Sequence, residues 1–203
     1  MISIVDYDVC NLASIQNMLK QIKINTKITK NSNDIINSKF IILPGVGNFV
    51  EGIKNLEKKG LDIAIRKAHK KKINILGICL GMQLLFEKSE EGNHDGLGLI
   101  RGTIKKFDSS FQNIQIPHMG WNYVEIQKKS KLYFDYKNKT KFYFAHSYYV
   151  DCEDKNSVVG LTTYGKKFCC AIESSNLFGV QFHPEKSHNF GKAFFKNFFI
   201  NVT

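Results

Sequence analysis

The chain has 203 residues, with 29 Lys and Arg against 18 Asp and Glu, giving a net charge of +11 at pH 7. That length buries a substantial core and fits one globular domain spanning residues 1–203. No run approaches the roughly 18–20 apolar residues of a membrane span and no export-type leader opens the chain, so a cytoplasmic protein without a membrane partner is expected.

Five cysteines, Cys10, Cys79, Cys152, Cys169 and Cys170, fall at irregular spacing with no C-x-x-C pair. Reduced thiols, and neither a metal nor a cofactor, are the expectation. The lysines are scattered among Asn and Ile rather than gathered in a stripe, so no nucleic-acid partner is expected. The densest basic run, residues 66–72, falls where a predicted helix ends and cations complement the helix dipole.

In chain order, residues 2–5 are a short β-branched strand, and Leu12, Ile15, Leu19 and Ile22 form a helical stripe within 11–22. Residues 39–47 predict a buried strand closed by Pro44, Gly45 and Gly47. Residues 56–72 then predict a helix, 73–81 a strand and 82–89 a helix. From about residue 97 the pattern turns to strands, at 96–107, 121–126, 141–150, 158–164, 168–174 and 177–182. Residues 189–202 close the chain as a helix with Phe190, Phe194, Phe195, Phe198 and Phe199 on one face, a core stripe. The alternation predicts an α/β fold of three layers, a central mixed and largely parallel sheet flanked by helices, with a β-rich second half adding antiparallel strands.

Gly77 and Gly81 bracket Cys79 where an apolar strand gives way to a helix. Glycines at those offsets allow a sharp turn that exposes its central residue at the carboxyl edge of the sheet, the geometry of a nucleophile elbow. A helix N-terminus favours thiolate over thiol, and the N–H of Leu80 is placed to hold an oxyanion. The bland alternative is a small buried cysteine in a tight junction.

A thiol nucleophile needs a base. His183 ends a strand, and Glu185 reaches the same side if the chain stays extended, so the carboxylate can orient the imidazole and stabilise its cation. His69, His94, His118 and His188 lack this combination. His146, in "FAHSYY", is the best rival base, but no acidic residue stands beside it.

With "GICLGMQLLFE" and "FGVQFHPE" read, the chain resembles the triad-type (class I) glutamine amidotransferases, whose fold is flavodoxin-like. "PHMGWN" together with "HPEKS" makes it look most like the glutaminase subunits of imidazole glycerol phosphate synthases. The resemblance spans nearly the whole chain. It implies that Cys79 attacks the side-chain amide of glutamine, that His183 moves the protons and that Glu185 orients His183. It implies a second oxyanion donor at Val46, with Gly47 giving the backbone freedom to turn that N–H inward. Gln83, Glu91, Ser147 and Tyr148 would contact glutamine. The partner implied is a (β/α)8 barrel synthase subunit that receives the ammonia for histidine biosynthesis. Asn11, Met119, Gly120, Trp121, Asn122 and Lys186 would face it.

The first loop departs from the family. It reads "DYDVCN" where glycines are usual, so Asp8 and Cys10 predict a loop of different shape. That loop borders the expected docking face. The acceptor therefore stays open between imidazole glycerol phosphate synthesis and amination or amidination of a surface-polysaccharide sugar. A cysteine hydrolase on the same fold is a further, weaker reading.

Overall fold

The computed structural model describes residues 1–108, 114–132 and 140–202. Strand β1 (Ile2–Val5) leads into helix α1 (Leu12–Gln21), which buries Ile15, Met18 and Leu19. Next come β2 (Thr26–Thr29), α2 (Ser32–Ile36), β3 (Phe40–Leu43), α3 (Phe49–Lys58), α4 (Leu61–Lys70), β4 (Asn74–Ile78) and the short α5 (Leu80–Leu84). The second half supplies β5 (Phe86–Ser89), β6 (His94–Asp95), β7 (Ile100–Lys106), β8 (His118–Ile126), β9 (Thr140–His146) and β10 (Tyr148–Cys152). It ends with β11 (Val158–Tyr164), β12 (Lys166–Ser174), β13 (Leu177–Val180) and α6 (His188–Val202). No helix among the described residues is long and apolar enough to cross a membrane.

The sheet runs β2-β1-β3-β4-β13-β12-β10-β7-β5-β6, with β11 on β12, β8 on β11 and β9 on β8. The pairs from β2 through β13 are parallel, and most of the rest are antiparallel. Residues alternate across the strands. Phe40, Ile42, Leu76, Ile78, Phe178 and Val180 pack with α1 and α6 on one face. Ile41, Leu43, Ile75 and Leu177 pack with α2 to α5 on the other. The phenylalanine stripe of α6 lies in the first core: Phe194, Phe195, Phe198 and Phe199 are buried, and Phe190 sits at its edge. The three-layer α/β expectation therefore holds.

Three local expectations need correction. The helix expected over 56–72 is two helices, divided at Gly60, whose φ of +65° takes the chain out of the helix. Residues 82–89 are not one helix, because the chain leaves α5 and pairs as β5 with β7, Phe86 opposite Ile100 and Ser89 opposite Ile104. Met82, Leu84, Leu85 and Phe86 are all fully buried and so is the polar Gln83, so polarity along this run does not mark a solvent face from which a period could be read. Finally, the single strand expected over 141–150 breaks at Ser147 into β9 and β10.

Candidate active site

The parallel register sets the site. Gly179 lies opposite Gly77 and Val180 opposite Ile78, so β4 and β13 end side by side at the carboxyl edge, beside the end of β3. Ligand crevices of open α/β sheets form at that edge. Cys79 follows β4 with φ +53° and ψ −111°, a conformation an L-residue holds only when its surroundings impose it. The surroundings are close: a Cβ on Gly81 would run into the Leu43 carbonyl, and one on Gly77 would lie 2.7 Å from Met82 Cα. Both glycines let α5 start directly against β3 and β4. Contrary to the expectation that Cys79 stands clear of the core, its side chain is only 5% exposed.

Cys79 Sγ lies 3.7 Å from Gln181 Nε2 and 4.0 Å from the Ala145 carbonyl. His183 Nδ1 lies 2.7 Å from Glu185 Oε1, with both side chains 2% exposed. Glu185 does not reach back along an extended strand as expected: Pro184–Lys186 is a 3₁₀ turn, with the proline in its first positions, and the turn folds the carboxylate under the imidazole. Burial favours the neutral imidazole. The neighbouring Cys79 sulphur, joined by the Glu185 carboxylate, outweighs burial and pushes His183 up to about 10. Burial pushes Cys10 up to about 12, and burial raises Cys152, Cys169 and Cys170 above the ordinary thiol range as well. Burial drives the rival bases down, His118 to about 4 and His146 to about 3. Among the described residues neither has a carboxylate partner.

A cavity of about 310 Å³ opens over these groups. Val46, Gly47, Leu80, Gln83, Glu91, Ser147 and Tyr148, the residues expected around glutamine and its oxyanion, all line it with Cys79 and His183. Larger hollows, of about 610 Å³ by Lys128–Lys131 and about 450 Å³ between β10 and β12, bring no thiol beside an imidazole. Chemistry rather than size selects the smaller cavity. Among the described residues no three His, Cys, Asp or Glu side chains converge as a metal site would require.

Leu80 supplies the first N–H of α5, one of those a helix leaves without an intrahelical partner. The Val46 N–H is turned elsewhere: it donates to the Val9 carbonyl at 3.0 Å. In this conformation it is not an oxyanion donor, and Gly47, at φ +96°, is exposed. Glu91 has a structural task beside its place in the cavity. Its carboxylate accepts from Asn48 Nδ2 and from the Phe49 N–H, both at 2.9 Å, and so caps α3. Gln83 Nε2 donates to the Tyr148 carbonyl and to Gln181 Oε1, both at 3.0 Å. Sequence reasoning missed Gln181, although a glutamine set between Val180 and Phe182 in a fully buried strand end was the available signal, since a buried amide must find partners.

The residues expected at a partner interface divide by strand alternation. On β8, Met119, Trp121 and Tyr123 are 63%, 42% and 52% exposed. Asn122 turns the other way, its Nδ2 donating to the Thr163 carbonyl at 2.9 Å, so its side chain does not share that face. Gly120, at φ +129°, is half-buried. The Trp121 ring stacks on His188 at 5.7 Å, with Tyr143 and Phe190 against its edges. Lys186 is exposed, with Nζ 5.8 Å from the Tyr143 ring centre. Asn11 stands before α1, which packs on the Pro184–Lys186 turn. Met119 and Lys186 also line the cavity, so the exposed face and the cavity share a rim.

The first loop does hold a positive φ without glycine. Asp8 sits at φ +73° and is anchored by Lys30 at 2.7 Å and Lys59 at 2.8 Å, ion pairs that hold its carboxyl down at about 2. Cys10 Sγ tucks in 3.7 Å from the Pro44 carbonyl, directly before the loop that carries Val46.

The family model for class-I glutamine amidotransferases matches residues 3–202. An imidazole glycerol phosphate synthase subunit HisH 2 of Methanococcus maripaludis is 47% identical over 199 residues, 98% of each chain. The corresponding HisH subunits of Leptospira borgpetersenii and Moorella thermoacetica are 44% and 43% identical, over 98% of each chain in the first case and 97% of this chain and 93% of the relative in the second. Among solved structures, a glutamine amidotransferase superposes with a TM-score of 0.77 at 14% identity, covering 100% of this chain and 99% of that one. PurLQS from Thermotoga maritima superposes at 0.75 and 21% identity, covering 100% and 98%. At those identities the two structures speak for the fold alone.

Proposed function

The chain belongs to the class-I glutamine amidotransferase family, and from that premise we propose that it is the glutaminase subunit of an imidazole glycerol phosphate synthase. On this reading residues 1–203 work as one cytoplasmic domain that hydrolyses glutamine to glutamate and ammonia. The observation that supports it most is the buried 2.7 Å His183–Glu185 pair beside Cys79 at a cavity of about 310 Å³.

The chemistry follows from the geometry. Nδ1 of His183 is committed to Glu185, which leaves Nε2 to take the thiol proton. The Cys79 sulphur adds to the side-chain amide carbon of glutamine, and the new oxyanion accepts from the Leu80 N–H. His183 returns the proton to the amide nitrogen, the C–N bond breaks and ammonia leaves. A water then gives its proton to His183 and adds to the γ-glutamyl thioester, and the C–S bond breaks to release glutamate and restore the thiol. Gln83, Ser147 and Tyr148 present polar groups to the amino and carboxylate ends of the substrate. Glu91 presents a carboxylate whose oxygens are already shared with α3.

The oxyanion site is half built. Turning the Gly45–Val46 peptide would break the bond to Val9 and bring a second N–H to bear, and losing one such donor costs about 10²–10³ in kcat. A partner seated beside the cavity mouth can favour that turn, so hydrolysis is coupled to docking. The exposed Met119, Trp121 and Tyr123, flanked by Lys186, form an aromatic surface of the kind that anchors interfaces. Its rim is shared with the cavity, which would deliver ammonia directly into the docked subunit, a (β/α)8 barrel.

The test is glutamine-dependent formation of imidazole glycerol phosphate by the chain mixed with a barrel synthase subunit. Product formation that ceases in Cys79→Ala supports the proposal. Glutamine hydrolysis without that product, restored instead by a sugar-modifying partner, would assign the ammonia to a surface-polysaccharide sugar.

A further inference from the structure

Two histidines that play no part in the triad are buried between β8 and the cavity, which His146 helps to line. His118 on β8 and His146 on β9 are 3% and 7% exposed, and lie opposite each other in the strand register. His118 Nδ1 is 3.0 Å from His146 Nε2. His118 Nε2 is 3.3 Å from Asn122 Nδ2, and His146 Nδ1 is 2.7 Å from the Tyr148 carbonyl. The His118 ring is sandwiched between Phe144 at 4.8 Å and Tyr164 at 4.0 Å, both within 20° of parallel. Phe107 and Phe168 close the remaining sides.

The partners fix every proton. A carbonyl oxygen only accepts, so His146 carries its proton on Nδ1 and presents a bare Nε2. His118 must then donate from Nδ1 and present its own bare Nε2 to Asn122. The far end agrees independently: Asn122 Oδ1 accepts the Tyr123 N–H at 2.8 Å and its Nδ2 donates to Thr163, so its amide group is the right way round to donate to His118 as well. The Tyr148 carbonyl accepts a second hydrogen bond from Gln83 Nε2. Gln83 also donates to Gln181 Oε1, and Gln181 Nε2 in turn donates to the Cys79 sulphur. The donor–acceptor sequence is therefore consistent from β8 to the nucleophile. An additional proton on either ring would set two donors face to face.

We propose that His118 and His146 are positioning residues for glutamine hydrolysis, a pair of neutral imidazoles each held in its Nδ1–H tautomer, tying Asn122 on β8 to the Tyr148 carbonyl and, through Gln83 and Gln181, to Cys79. This rests on the glutaminase reading of the same site. The pair fixes the backbone of the Ser147–Tyr148 segment that lines the cavity and sets which way the two glutamine amides point. It starts on the strand whose opposite face exposes Met119, Trp121 and Tyr123, so a displacement of β8 on docking is passed to the nucleophile through hydrogen bonds rather than through apolar contacts that slide.

The test compares His118→Asn with His118→Phe in the complex with the barrel subunit. Asparagine places its NH₂ where Nδ1 was and can still donate to His146, but it gives up the ring stacking. Phenylalanine keeps the stacking and makes no hydrogen bond. We expect His118→Asn to melt lower yet keep kcat/KM for glutamine within about threefold, and His118→Phe to melt higher yet lose roughly tenfold or more, chiefly in kcat. A role in packing alone predicts the reverse order, activity following stability, and that result would overturn the proposal. Imidazole nitrogen chemical shifts of the unmodified chain give a second reading that needs no variant. Protonated Nδ1 and bare Nε2 at both His118 and His146 near pH 7 are expected, and a proton on Nε2 of either overturns the relay. A wild-type complex that makes no more ammonia than Cys79→Ala would instead sink the glutaminase reading, while the nitrogen shifts still decide the relay.

Discussion

At the end of β13 the backbone of His183 is held on both sides, its N–H by the Tyr143 carbonyl at 2.8 Å and its carbonyl by the Ser187 hydroxyl at 2.6 Å, while Ser187 Oγ also accepts the Tyr143 N–H. Across the cavity, the chain leaving β3 passes from a buried Gly45 to an exposed Gly47, and the donor expected of it for the site, the Val46 N–H, is bonded to Val9. The first region cannot change without breaking strand and turn hydrogen bonds together. The second needs one peptide to turn and one hydrogen bond to be exchanged. On the proposed function the difference locates regulation: Cys79, His183 and Glu185 would be set by the fold, whereas the second oxyanion donor would wait on a partner.

Disabling the fixed side should cost most. Replacing Glu185 by Gln removes the anion that holds the His183 tautomer, and glutaminase kcat should fall about 10²–10⁴-fold with KM little changed, measured by steady-state ammonia release. The same variant alters the pH response. His183 is raised to about 10 in the folded chain from an ordinary 6.5, so its contribution to stability is fully present below about pH 6.5 and fades as pH rises through 10. In Glu185→Gln the folded value drops, so that fading should be complete at lower pH, read from melting temperatures between pH 6 and pH 10. An unchanged alkaline limb would mean that Glu185 does not contribute to the shift.

Next comes the side that one peptide turn would rearrange. Val46→Pro deletes the N–H, and the partner-stimulated rate should fall about 10²–10³-fold. A variant that retained full stimulation would show that the second donor lies elsewhere. The smallest effect is expected at the face that connects the two regions to a partner. Trp121→Ala should weaken docking by about 2 kcal/mol, read by calorimetry, while the activity at saturating partner is kept.

Much of this was legible in the sequence, and the exceptions share a cause. The elbow at Cys79 and the His183-Pro184-Glu185 turn are short stretches whose glycines, proline and charges act locally, so spacing alone pointed to them. Even there, the expected extended path to Glu185 was wrong, because Pro184 suits the first position of a turn as well as a strand end. β2 and α2 were not anticipated: β2 buries only Thr29 fully and α2 only Ile35, too few residues for a period to show. The fate of residues 86–89 was decided by β7, a partner that no local pattern announces. His146 illustrates the same limit at the site. Its position at a strand end marked it as a rival base, yet its actual neighbours, His118 on β8 and the Tyr148 carbonyl, come from the fold. Asp8 was expected to resist a left-handed conformation, and two lysines distant in sequence hold it there.

The most direct measurement is covalent. A γ-halo analogue of glutamine, offered to the chain with its partner subunit, alkylates the sulphur that attacks substrate, the new C–S bond replacing the C–halogen bond as halide leaves, and peptide mass spectrometry locates the adduct. One adduct is expected, on Cys79, formed more slowly in Glu185→Gln and blocked by glutamine. Labelling of Cys10 in its place, or labelling of Cys79 that excess glutamine does not slow, would contradict it.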